Sequence, residues 1–145
     1  MTLLELIIAC AILLILSSAA LPIAKYSVIR QKEAELRRDL REMKDAIDRY
    51  KDTADRNQIR VEIGSEGYPP DLETLVKGVQ LGASSDRKIR FLRKVPVDPM
   101  TGQADWGLRA VQDDPDSTSW GGKNVFDVYS KSTGTALDGT KYSDW

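Results

Sequence analysis

The chain contains no histidine, so it lacks the commonest general base and the commonest metal ligand. Serines are plentiful, but none has a histidine to activate it and none stands in a G-x-S-x-G elbow. No phosphate-binding loop and no dinucleotide fingerprint occurs. These absences point away from an enzyme. The single cysteine, Cys10, excludes an intrachain disulfide and a thiolate metal cluster, and it reads as a small apolar side chain. A net charge of −1 gives no reason to expect nucleic acid as a partner. The charge is unevenly spread: residues 25–60 hold eleven Lys/Arg against eight Asp/Glu, and residues 61–145 hold ten against thirteen. Neither imbalance names a partner.

What is present is one long apolar run. Met1 to Ala24 reads MTLLELIIACAILLILSSAALPIA and carries a single charged side chain, Glu5. At 1.5 Å per residue such a run extends about 36 Å, enough to span a hydrocarbon core of about 30 Å. It does not read as a secretory signal peptide: it has no basic n-region and exceeds an h-region of about 7–15 residues. Met1 is either an initiator or the first residue left after a short leader is cut off. A carboxylate inside lipid is costly and calls for a partner. Two readings of Glu5 stand side by side. It is a wet, idle acid at the membrane surface, or it forms a buried ion pair with a cation of another subunit. No Lys or Arg precedes Lys25, so the obvious cation is a neighbour's α-amino group. A desolvated pair of this kind sets register more surely than it adds stability.

Beyond the run the pattern becomes amphipathic. Ile29, Leu36, Met43 and Tyr50 repeat every seven residues, with Leu40 and Ile47 at the +4 positions and Glu33 at the +4 position before them. The other faces are dense in charge, with spacings such as Glu33–Arg37 and Asp45–Arg49 that suit weak pairs on a solvated face. The periodicity predicts one helix from near residue 2 to about residue 54, about 80 Å long. Pro22 lies inside it, which predicts a kink or local opening near Ser18. A helix this long exceeds what the rest of the chain can wrap. Its first half must be buried by lipid or by copies of itself.

The remaining sequence suits one small domain. Gly64, Gly67, Pro69 and Pro70 mark a loop, and Asp71 is placed to cap a short helix ending near Lys77. Residues 78–90 read as loop. Val95 to Pro99 reads as extended, because residues before proline avoid the helical region. Trp106–Val111 and Asn124–Tyr129 alternate as strands and are expected to pair antiparallel. The turn-rich connector between them holds Asp113, Asp114 and Asp116. These aspartates read as an Asx-turn in a solvated loop, or as ligands for a hard cation together with Ser117. Asp138 and Asp144 in the tail carry the same pair of readings, although Asp138-Gly139 is first of all a turn signal.

The opening Met1-Thr-Leu-Leu-Glu-Leu-Ile-Ile-Ala, followed by an apolar helix with Pro22, resembles the mature N-terminus of type IV pilins and type II secretion pseudopilins. In that family a prepilin peptidase removes a short basic leader, the new first residue is N-methylated, and a glutamate stands at the fifth position. Counting from Met1 places Glu5 there and Pro22 at the family's helix-breaking position, while the family's usual first phenylalanine is Met1 here. Tyr68-Pro69-Pro70, Val95 to Pro99, Trp106-Gly107, Phe126 to Ser130 and the tail from Ala136 to Trp145 resemble the major pseudopilin of type II secretion systems. The chain has no cysteine pair of the kind that closes a loop in many type IV pilins.

The resemblance implies an α+β pilin fold, with a long helix packed on a small antiparallel sheet. Residues 1–24 would form a transmembrane and filament-core helix, and residues 25–145 a periplasmic head. In that head 25–54 would continue the helix, and 55–145 would hold the loop, the short helix, the sheet and the tail. It implies a subunit held in the inner membrane that polymerises with copies of itself into a helical filament of the cell envelope. Met1 would be the processed and methylated residue, Glu5 the assembly residue and Pro22 the helix break. The filament would help export folded proteins across the outer membrane, with minor pseudopilins and secretion-platform proteins as further partners. Such heads often bind calcium through clustered aspartates. Here the tail offers Asp138 and Asp144 with Lys141 between them, so no cofactor is carried over, and Asp113, Asp114, Asp116, Asp138 and Asp144 are kept only as Ca2+ candidates. The alternatives are a type IV pilin of a surface pilus, serving adhesion or motility, and a single-pass membrane-anchored binding module.

Overall fold

The computed structural model describes all residues, 1–145. One helix, α1, runs from Leu3 to Asp55 and carries everything else on its second half. Thr2 caps it with extended backbone, and its side chain accepts a hydrogen bond from the Glu5 N–H at 3.2 Å. The helix passes through Pro22 without interruption, so the opening expected near Ser18 does not divide it. The Ser18 hydroxyl donates to the Ile15 carbonyl at 2.8 Å, one turn before the carbonyl that Pro22 leaves without its helical donor. At the far end Asn57 takes a positive φ of 55°, the left-handed conformation that asparagine tolerates better than most residues, and the chain turns away.

The amphipathic stripe forms the core. Leu36, Leu40, Met43, Ile47 and Tyr50 are buried, with Ala46 and Ala54 beside them, whereas Ile29 is half-buried. Each large side chain contributes on the order of 1.5–3 kcal/mol by leaving water. They pack against Leu72 and Leu75, Phe91 and Leu92, Trp106, Val125, Val128, Ala136 and Tyr142. Leu72 and Leu75 come from α2 (Leu72–Lys77), which Asp71 caps as expected: its carboxylate accepts from the Thr74 N–H at 2.7 Å.

The fold is α+β, with one long helix and two small antiparallel sheets. The segment 78–90, expected to be loop, contains a short hairpin. Here β1 (Val79–Gln80) pairs with β2 (Lys88–Ile89), Val79 opposite Ile89. Two-residue strands leave no alternation for a sequence pattern to show. Gly78 starts the hairpin at φ 82°, where an added Cβ would meet the Ile89 carbonyl oxygen at 2.6 Å. The second sheet pairs β3 (Trp106–Arg109) with β4 (Asp127–Ser130), Gly107 opposite Tyr129. Both strands are shorter than their apolar alternation. The Asp113 carboxylate takes the Ala110 N–H at 2.8 Å and the Asn124 side chain takes the Val111 N–H at 3.0 Å, so side chains replace the ladder there. Asp98 is fully buried, with its carboxylate accepting from the Met100 N–H and the Ser130 hydroxyl. The tail ends in a 3₁₀ turn, Tyr142–Asp144, that packs on β4.

Candidate functional site

The N-terminal half of α1 is unlike the rest of the molecule. Every residue from Met1 to Val28 is exposed, and burial becomes continuous with the head only from Leu36. An 18-residue window of this helix has a mean hydropathy of 2.7 and none of it is buried. By length and composition α1 is compatible with a single-pass membrane anchor. The large exposed side chains include Leu3, Leu4, Leu13, Leu16 and Ile23, and they surround the helix rather than forming one stripe.

Glu5 stands at the tip of this half. Thr2-x-x-Glu5 follows the capping-box spacing, a helix-start signal that lies in the sequence beside the two readings of Glu5 given above. The capping bond uses the Glu5 main-chain N–H, so the carboxylate is not part of it. In the first turn a carboxylate is favoured by the helix dipole, typically by about 0.3–1 kcal/mol. It forms no hydrogen bond and no ion pair within the chain. The first cationic side chain, Lys25, lies twenty residues further along the helix, about 30 Å away. No side chain of the chain pairs with the Glu5 carboxylate, and the helix dipole favours it there. Met1 is exposed beside it, as is Cys10 one and a half turns on.

Where the helix first meets the head, two side chains grip the tail. Glu33 sits at the polar position of the apolar stripe, and its Oε1 accepts from the Leu137 N–H at 2.9 Å and from the Tyr142 hydroxyl at 3.0 Å. The Tyr142 hydroxyl is pushed above its usual range, by burial first and then by this carboxylate. Arg37, one turn on, pairs with Asp138 at 3.5 Å rather than with Glu33 as its spacing suggested, and its guanidinium lies 3.7 Å from the centre of the Trp145 ring. Lys44 reaches Asp127 and the main-chain oxygen of Trp145, both at 3.2 Å. Arg49, expected to pair with Asp45, instead donates to the Phe91 carbonyl at 2.7 Å and so ties the helix to the segment after β2.

The five aspartates held as calcium candidates do not gather at one point. Asp113 is a loop clamp: its Oδ2 accepts from the Ala110 N–H and, at 2.9 Å, from the Gly121 N–H, and these bonds hold its carboxyl below the usual range. Asp138 accepts from the Thr140 hydroxyl at 2.6 Å and from the Thr140 N–H at 2.9 Å, which lowers its pKa before Arg37 adds to the effect. Asp138 and Asp144 line a cleft with Arg37, Arg41 and Lys44. Asp116 and Asp144 line a second, with Asp127, Lys44 and Arg109. No group of three carboxylates, thiols or imidazoles is arranged to hold a metal ion. No family model matches the chain, and no curated protein and no solved structure matches it.

Proposed function

We propose that the chain is a structural subunit of a type II secretion pseudopilus, held in the inner membrane by residues 1–24 and drawn into a helical filament. The observation that carries this reading is the division of α1. One half is built into a head, and the other is a bare apolar helix that the chain leaves wholly exposed. Twenty-odd exposed apolar residues need lipid or copies of the same helix, and a filament core supplies the second after the membrane has supplied the first. Glu5 then pairs with the terminal amine of an adjacent subunit, which offsets the cost of burying its carboxylate and fixes the axial step. The head coats the outside, and the filament helps move folded proteins across the outer membrane.

The test is Glu5→Ala in the full chain. The capping bond uses a main-chain N–H that alanine retains, so the helix start survives the change. The variant is expected to fold and insert into membranes, and to yield no filaments in cells or after detergent removal. Filaments of normal number and length from this variant would contradict the assigned role of Glu5.

A further inference from the structure

Calcium is the ion that the resemblance brings to the C-terminal loop, and the side chains present do not fit it. Wherever carboxylates approach one another in the tail, the chain has already placed its own cations among them. The cleft of Asp138 and Asp144 contains Arg37, Arg41 and Lys44. The cleft of Asp116, Asp127 and Asp144 contains Lys44 and Arg109, and both of these pair with Asp127, at 3.2 and 3.5 Å. A divalent ion entering either cleft would meet at least two fixed positive charges, and in the first it would also have to displace the hydroxyl and N–H donors that Thr140 directs at Asp138.

We propose that the tail is closed by a guanidinium latch, with Arg37 of α1 doing structurally what a bound metal ion does in a calcium-dependent loop. Arg37 engages the loop twice, through its charge on Asp138 and through its planar face on the Trp145 ring. Its neighbour one turn back, Glu33, takes the Leu137 N–H and the Tyr142 hydroxyl from the same loop. Tyr142 and Trp145 stack edge to face at 5.2 Å between centroids, and the Trp145 indole N–H returns to the Thr140 hydroxyl at 2.7 Å. The loop thus has a cation, an anion and an aromatic pair, all supplied by the chain. The head folds without calcium as a result. For the filament reading, assembly then does not wait on calcium, although the latch stands whether or not that reading holds.

The experiment is thermal unfolding of the full chain in detergent micelles, followed by near-UV circular dichroism of the tryptophans. The unaltered chain is expected to melt at the same temperature with millimolar EDTA and with millimolar calcium chloride. Arg37→Gln is expected to melt about 5 °C lower, with far-UV helix content retained and the tail opened to proteolysis. Arg37→Lys keeps the charge but loses the planar face and the fork, so it recovers only part of the loss. A bound ion must raise the melting temperature by mass action. A rise of several degrees in the unaltered chain on adding calcium overturns the proposal, and so does an Arg37→Gln variant that melts like the parent. The calcium arm needs no substitution, so it decides even if the glutamine variant fails to fold.

Discussion

Glu33 and Asp39 are acids on the part of α1 that the head covers, and their surroundings treat them differently. Glu33 receives two donors from the tail. Asp39 is 5% exposed, has only Arg38 at 3.7 Å as a partner, and lies near Glu35 and Glu42. Burial raises its pKa above the usual 3.8, and the neighbouring acids add to the rise against Arg38. A raised carboxyl supplies stability that is fully present below its unfolded pKa and is lost as pH rises through the folded value. Asp39→Asn should therefore melt above the parent at pH 7, and the gap should narrow as the pH falls through the raised Asp39 value and vanish below the unfolded 3.8. Asp113 and Asp138 run the other way. Their lowered pKa values give stability that is present at neutral pH and lost in acid. A gap between Asp39→Asn and the parent that stays constant across this range would show that Asp39 does not titrate as its burial demands.

At the scale of elements, the second sheet depends on one glycine. Gly107 faces Tyr129 across the β3–β4 pair, and the tyrosine ring lies over the place where a side chain would stand. The ring also meets the Arg109 guanidinium at 4.0 Å, and its hydroxyl reaches the Thr118 carbonyl at 3.4 Å. Gly107→Ala should displace the ring and cost about 1–3 kcal/mol as an overpacked site, read as a lower urea midpoint with an unchanged slope. The elements that were legible in the sequence were those with a period or a cap. The heptad stripe gave α1 and its buried face, Asp71 gave the start of α2, and alternation gave the β3–β4 pair. The β1–β2 hairpin was not legible because two residues per strand carry no period. The early ends of β3 and β4 were not legible because Asp113 and Asn124 compete for main-chain donors only once the loop between them has folded.

At the scale of the whole molecule, the chain is two objects sharing one helix. The head buries its own core, and the apolar half of α1 has no partner within the chain. The demand for an outside partner could be read from the sequence, because a helix of about 80 Å exceeds what so short a chain can cover. The tail latch could not be read there. Glu33 and Arg37 have the spacing of an ordinary surface pair, and only the folded chain brings residues 137–145 back to them. In the proposed function the exposed half of α1 is an assembly element. The most direct measurement is electron cryomicroscopy of the full chain after detergent removal. A helical filament is expected, with residues 1–24 packed against one another at the axis, the heads outside, and each Glu5 carboxylate within hydrogen-bond reach of a neighbour's terminal amine. Chains that remain single in lipid, or a polymer joined through the heads with residues 1–24 left outside it, would contradict that claim.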